Sequence, residues 1–575
     1  MMRPQIVFVP KIICPIDLDR LLIWNSSYKS FAVKQFLTNV VFRFPGLWIP
    51  LVYAIVLLLA SPLHDRFDEW GGVMQYFAGK DILAGNGYNG WASYFWPPLY
   101  SLLIGIGSLF VSGFFAGKLI SILAGTILLC VVYLLAIELT NRQEVAILTQ
   151  VFVGLTPIYF RESLTAHNHM LDAFLFGSGM WLFIRSSRNP TAEKIFIAGL
   201  ICGLASLSRF TSNVLWALPF FLFTFKTKLK TNVKFAVAFW FGFALPCLPW
   251  WYYNTITRGS PFYAREELNI CMQIVPVSWG WGSLIGLWQC NRQYNFESVF
   301  DILFAYPSAY LRNFFQNVVD FGVKLIKLSP NLIELAVIPG IFYSLFSIKS
   351  SYVIILFGEM ILFMFLVSQA FVPDYALLPW VPLVILISIT VIFASLKYVQ
   401  ERYPTVKKYH VESFLFGLLI IISVVVIVGT MKFNDQNSAS ALADLDQVTR
   451  ALQQHDPNLA TKVVMAVDPA RAYYAGSKYL VTPLEYEGTI DGLVSYRGLS
   501  ERVKIYAPKY PSNMSIGDTK ADYLVYTRTP SNVSPWAPQD LPQFSFLLDP
   551  RSSQIPKNFD LVYYSDNVVV YEIRW

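Results

Sequence analysis

The stretch Leu119–Leu139, LISILAGTILLCVVYLLAIEL, carries a single charged side chain, Glu138, and no proline. An α-helix of this length rises about 30 Å, the thickness of the hydrocarbon core of a bilayer. Similar apolar runs stand at Leu47–Leu63, Phe235–Trp251, Val353–Ser368, Leu377–Leu396 and Phe414–Met431. Only 14% of the chain is charged, against about a quarter in soluble domains, so a globular reading fails. The chain reads as mainly α: a polytopic helical membrane domain of about eleven spans, residues 1–431, and an extracytoplasmic α/β domain, residues 432–575.

The net charge of +7 does not point to nucleic acid. The basic residues gather beside the apolar runs, which is the positive-inside pattern. Arg3, Lys11, Arg20, Lys29, Lys34 and Arg43 precede the first span and make its lead-in cytoplasmic. Arg185, Arg188 and Lys194 fall on that side, as do Lys226, Lys228, Lys230 and Lys234, and then Lys397, Arg402, Lys407 and Lys408. Lys324 and Lys327, in the long outer loop 253–330, are the chief exceptions. The threading keeps 63–117 outside, with Pro97–Phe115 as a glycine-weakened helix lying in the interface rather than a span. Residues 161–171 form a second outer loop, and Arg209 tips an outer hairpin.

The tail changes composition at Lys432. Ala441–Gln454 reads as a helix, and Val463–Val467 and Tyr523–Thr527 as buried strands. Leu561–Ser565 and Val568–Ile573 flank Asp566-Asn567, a hairpin signal.

Charged groups at membrane depth cost about 2.5–3.5 kcal/mol each on insertion scales, so their placement is informative. Three polar spots stand out, all at the outer face. The first is His64-Asp65-Arg66-Phe67-Asp68-Glu69-Trp70, where a carboxylate at the mouth of a bundle can serve as general base or simply cap a loop. The second is Arg161-Glu162-Ser163-Leu164-Thr165-Ala166-His167-Asn168-His169-Met170-Leu171-Asp172, where Asp172 can act in a site or as a helix N-cap. The third is Ser206-Leu207-Ser208-Arg209-Phe210-Thr211, whose arginine suits phosphate oxygens or snorkels at a turn. Imidazoles and carboxylates such as His169, Asp68 and Asp172 could hold a divalent cation, although His-x-His is not among the strong metal spacings. Walker loops, dinucleotide fingerprints, paired-cysteine zinc patterns and Gly-x-Ser-x-Gly elbows are absent from the sequence.

Of the six cysteines, Cys130, Cys202 and Cys247 sit in apolar spans as small hydrophobes. Cys271 and Cys290 are the two in the large outer loop, where the redox poise permits a disulfide. Such a bridge would close a loop worth about 3 kcal/mol in the chain-entropy estimate.

Five short motifs in order resemble the polytopic, lipid-phosphate-sugar-dependent glycosyltransferases of GT-C fold, among them protein O-mannosyltransferases and aminoarabinose transferases. Arg66-Phe67-Asp68-Glu69 resembles that family's first acidic motif. Ala84-Gly85-Asn86-Gly87-Tyr88 and Trp96-Pro97-Pro98-Leu99-Tyr100 are similar to its first-loop pattern. Leu171-Asp172 resembles its second acidic site, and Gly203-Leu204-Ala205-Ser206-Leu207-Ser208-Arg209 its hairpin. Pro249-Trp250 through Asn254 and Gly259-Ser260-Pro261 are similar to the start of its large outer loop. The resemblance runs over roughly residues 46–265.

It implies transfer of a sugar from a polyprenyl-phosphate donor to a protein, lipid or glycan acceptor, at the outer face of the plasma (inner) membrane. Asp68 would be the base, Glu69 its orienting neighbour, and Asp172 would position acceptor or metal. Arg209 would hold the donor phosphate, with Arg66, His167, His169 and Arg258 as further substrate contacts. One departure stands out: where relatives carry a basic residue between spans nine and ten, this chain has Val372-Pro373-Asp374-Tyr375, leaving Arg258, Arg265 or Lys324 as substitutes. The rival readings are a secondary transporter or lipid-linked sugar flippase, a ligase-like transferase using a lipid diphosphate, and a non-catalytic scaffold. The first loses ground because the polar clusters lie at one face and no repeated halves are seen.

Overall fold

The computed structural model describes residues 45–63, 67, 70–88, 92–224, 229–275, 290, 296, 298–329, 331–347, 350–403, 408–466, 469–481, 490, 494, 520–527 and 542–575. The first helix, α1 (Pro45–Ala60), turns its apolar side chains outward, with Leu59 76% exposed. That is the reverse of a soluble protein and what a lipid solvent selects.

After the first acidic segment, α2 (Trp70–Leu83) packs against the short α3 (Leu99–Gly107). The two backbones touch: a Cβ at Gly79 would stand 2.0 Å from the Ser101 carbonyl oxygen. Gly105 is therefore a contact residue, and α3, at nine residues, is too short to span. Then comes α4 (Gly113–Thr140), capped by Ser112 and ended by Asn141 in the left-handed region at φ 54°. Glu138 near its end pairs with Arg188, so the run's one acid is matched.

The apolar run after α4 is divided into α5 (Gln143–Gly154) and α6 (Pro157–Leu164). Pro157 lacks the N–H needed to continue the helix and opens a new one instead. Next, α7 (His169–Arg188) and α8 (Ala192–Ser208) form a hairpin. A 3₁₀ run, Phe210–Thr224, and α9 (Leu229–Arg258) follow. Glycines set the spacing of α8 and α9: a Cβ at Gly203 would lie 2.3 Å from the Phe243 carbonyl oxygen, and one at Gly242 2.2 Å from that of Phe196.

In the long loop after α9, α10 (Glu266–Ile274) carries Cys271, which is disulfide-bonded to Cys290. Two helices, α11 (Val299–Ala305) and α12 (Pro307–Lys327), lead back to the bundle. It is completed by α13 (Val337–Ser347), α14 (Ser350–Val367), a 3₁₀ segment Asp374–Trp380, and α15 (Val381–Arg402). Among the described residues, the helical stretches Gly113–Thr140, Leu229–Arg258 and Asp374–Arg402 are each long and apolar enough to cross a membrane unaided.

The last span does not stop at Met431. One continuous helix, α16 (Lys408–His455), passes through the change of composition and absorbs the helix expected at 441–454. No proline or glycine lies between Thr430 and His455 to break it. Beyond it, β1 (Val463–Ala466), α17 (Pro469–Ala475) and β2 (Lys478–Val481) form a parallel unit. Strands β3 (Tyr523–Thr527), β4 (Phe559–Tyr564) and β5 (Val568–Ile573) complete a sheet in the order β2-β1-β3-β5-β4. The expected hairpin is the antiparallel β4–β5 pair.

Candidate active site

The second polar segment forms the floor of the site. Within it, α6 ends at Leu164, residues 165–168 turn, and α7 begins at His169. The turn is tied to the tip of α8, where Asn168 Nδ2 donates to the Ser208 carbonyl at 2.7 Å. Arg209 caps α8 in extended backbone, and the 3₁₀ run starts directly after it. That run brings Ser212 over α7, and its Oγ donates to Asp172 Oδ1 at 2.5 Å. Asp172 is buried and within electrostatic reach of Arg209. The N-cap role considered for Asp172 does not apply, because Asn168 occupies that position.

Four side chains stack into a column. The His167 and His169 rings lie 3.9 Å apart, and His169 stacks on Tyr375 at 4.0 Å with 9° between planes. The Arg209 guanidinium lies against the Tyr375 ring at 4.8 Å, a cation–π contact that fixes a charged group at a half-buried position. Beneath the column, buried Glu162 accepts from His169 Nδ1 at 2.8 Å and from Arg161 Nη2 at 2.7 Å. His167 Nδ1 accepts the backbone N–H of Asn168 at 2.9 Å. Its neutral ring therefore carries the proton on Nε2. That nitrogen faces Gly71, where a Cβ would sit 2.7 Å away. Trp96 meets the same ring edge-on at 5.7 Å.

Two 3₁₀ segments, Phe210–Thr224 and Asp374–Trp380, border this column. Hydropathy does not distinguish 3₁₀ from α geometry, and such segments often mark functional positions. Asn168 Oδ1, Ser208 Oγ and Thr211 Oγ1 are buried without hydrogen-bond partners among the described residues. Unpaired buried polar atoms are costly, and these three leave the Arg209 tip with unused capacity for a polar ligand.

The remaining motifs build the wall. Tyr88 is its pin: Oη donates to the Trp96 carbonyl at 3.1 Å, and the backbone N–H donates to Tyr253 Oη at 3.0 Å. Arg258 Nη2 donates to the Tyr88 carbonyl at 2.9 Å and lies among Trp250, Tyr253 and Tyr263. Arg258 thus braces the wall rather than joining the column, and Arg265 pairs with Glu267. Of the three substitutes for the missing basic residue, Lys324 reaches the 372–375 segment. Its Nζ donates to the Val372 carbonyl at 2.6 Å and stands 3.5 Å from Asp374. The exception in the charge pattern marks this contact.

Of the first acidic segment, His64, Asp65, Arg66, Asp68 and Glu69 lie outside the described residues. Their described neighbours, Phe67 and Gly71, border the site. Among the described residues no group of three His, Cys, Asp or Glu side chains could hold a metal ion; the expected set includes Asp68. Glu162, Ser212 and Tyr375 belong to the site without having been named as site residues from sequence.

The fold compares with known structures. ArnT from Cupriavidus metallidurans bound to undecaprenyl phosphate superposes with a TM-score of 0.57 at 12% identity, covering 92% of this chain and 98% of that one. Its apo form gives 0.54 at 13%, covering 94% and 98%. This chain has the GT-C fold. The dolichyl-phosphate-mannose-protein mannosyltransferase family matches residues 96–253, which hold Trp96, Trp250 and Tyr253 of the wall, both histidines, Asp172 and Arg209. With that match on this fold, the protein is a membrane glycosyltransferase. The archaeal oligosaccharyltransferase AglB from Archaeoglobus fulgidus aligns more loosely, with a TM-score of 0.46 at 15% identity over 84% of this chain and 69% of that one. No curated protein sequence matches the chain.

The glycosyltransferase's paired histidines make its stability pH-dependent. Burial, helped by His169 and Arg209, holds His167 well below its ordinary 6.5. Burial likewise brings His169 down to about 4, with Glu162 opposing only in part. Unfolded histidines gain protons near pH 6.5 while these folded ones do not. Stability is therefore full above 6.5 and is lost as pH falls toward 4. The melting temperature in detergent should drop across this window, and a His167→Asn/His169→Gln variant should show a shallower decline. Parallel curves would contradict this assignment.

Proposed function

We propose that this glycosyltransferase moves a sugar from a polyprenyl-phosphate donor to a hydroxyl or amine acceptor at the extracytoplasmic face, inverting the anomeric centre. The observation that carries the reading is the Arg209 guanidinium, fixed on Tyr375 within electrostatic reach of Asp172, at a helix tip that also carries the unpaired polar atoms of Asn168, Ser208 and Thr211. A cation held at the membrane boundary suits a phosphate whose lipid cannot leave the bilayer.

Asp68 takes the proton from the acceptor. The acceptor oxygen or nitrogen attacks the anomeric carbon opposite the phosphate, and the carbon–oxygen bond to phosphate breaks. Its electron pair leaves on the lipid phosphate, where Arg209 offsets the growing charge. Lys324 adds positive charge near the 372–375 segment, and Glu69 and Arg66 flank the base. Asp172, held by Ser212, positions the acceptor. A divalent cation bound here would draw on Asp68, Asp172 and His169.

Lipid extracted from the purified protein should have the mass of a polyprenyl phosphate or its glycosyl ester, and Arg209→Ala should purify with less of it. Phospholipid alone in both preparations would count against this donor. For orientation in the inner membrane, a cysteine at Ser438 should label from outside and one at Ser187 only after permeabilisation. The reverse pattern would move the site to the other face.

A further inference from the structure

We infer that the C-terminal domain positions the catalytic loop, through Tyr474 on α17. This rests on Asp68 being the base. The hydroxyl of Tyr474 accepts the backbone N–H of Phe67, the residue directly before Asp68, at 2.8 Å. The adjacent Tyr473 accepts the backbone N–H of Phe114 at 2.9 Å, and its ring meets Phe67 at 5.1 Å and Tyr76 at 5.2 Å, edge to face. Phe67 is itself buried and packs on Phe114.

Helix α17 is the crossover between β1 and β2, so the sheet fixes its direction. Gln453, near the end of the long α16, donates to the Tyr474 carbonyl at 3.2 Å. The other end of the acidic segment is also held, since buried Lys118 donates to the Ser61 carbonyl at 2.5 Å. Ser61, just before the acidic segment, is thus held from within the bundle, and Phe67, the residue next to the general base, is held from a domain some 400 residues later.

A misplacement of about 1 Å can cost roughly a hundredfold in rate. Removing one hydroxyl that fixes the neighbouring peptide should therefore act on turnover and not on donor capture. With synthetic undecaprenyl-phosphate hexoses and pentoses as probes, Tyr474→Phe should lower kcat about 10- to 100-fold and leave the donor KM within about twofold. Tyr571→Phe is the control: it removes a buried hydroxyl bond to the Leu547 carbonyl inside the same domain, and should lower the melting temperature while sparing kcat. Hydrogen exchange at the Phe67 amide should be slow in the wild-type protein.

Wild-type kcat in Tyr474→Phe, an equal loss in Tyr571→Phe, or fast exchange at Phe67 in the wild type would each overturn the clamp. The last of these decides the matter even if Tyr474→Phe does not fold. If Asp68→Asn retains transfer, the reading of the loop fails instead. If Asp68→Asn is inactive and Tyr474→Phe is normal, the clamp alone fails.

Discussion

Asp68→Asn should abolish most turnover while leaving donor lipid bound. An amide is nearly the size of a carboxylate but cannot accept the acceptor's proton, and a lost general base costs about 10²- to 10⁴-fold in rate. The phosphate contact proposed for Arg209 lies elsewhere, so binding of undecaprenyl phosphate should stay within about twofold of wild type. Asp65→Asn provides the register check. If Asp65→Asn is inactive while Asp68→Asn works, the base lies three positions earlier in the loop. If neither change matters, the transferase mechanism proposed here is wrong.

Arg209→Ala should fail first in capture. A hydrogen bond to a charged group contributes about 1.5–3 kcal/mol, which corresponds to a 10- to 150-fold weaker donor. The measurement is the dissociation constant for undecaprenyl phosphate in detergent, read beside kcat at saturating donor. Arg209→Lys should recover only part of the loss. A lysine keeps the charge but gives up the planar contact with Tyr375 and the paired donors that match a phosphate. Normal affinity in Arg209→Ala would leave the guanidinium without the role assigned to it.

The membrane architecture was legible because the relevant signal is local. Twenty apolar residues in a row say the same thing wherever they lie, and Asp566-Asn567 between alternating strands marks its hairpin by itself. The breaks were harder to see. Pro157 divides an apolar run, and the absence of any proline or glycine between Thr430 and His455 lets α16 run on. Both signals were present in the sequence, but hydropathy outweighed them.

The site divides in the same way. His167, His169, Asp172 and Arg209 stood out as polar residues at the edges of apolar runs, and the fold brings them together. Tyr375 did not, because a tyrosine beside an apolar segment is unremarkable until His169 stacks on it from some 200 residues away. In the sequence it marks only the place where a basic residue is missing. Lys324 had registered only as a misplaced charge, and the two irregularities now meet at Val372 and Asp374. Tyr474 gave no local sign at all, since its partner Phe67 lies in another domain.

The most direct test of the central claim is transfer itself. Purified protein is supplied with synthetic undecaprenyl-phosphate sugars and membrane-extracted acceptor, and the release of undecaprenyl phosphate is followed together with the anomeric configuration of the product. The account predicts release that depends on acceptor, with inversion, lost in Asp68→Asn and weakened through donor affinity in Arg209→Ala. Movement of intact donor across a vesicle bilayer without cleavage, unchanged in Asp68→Asn, would contradict it.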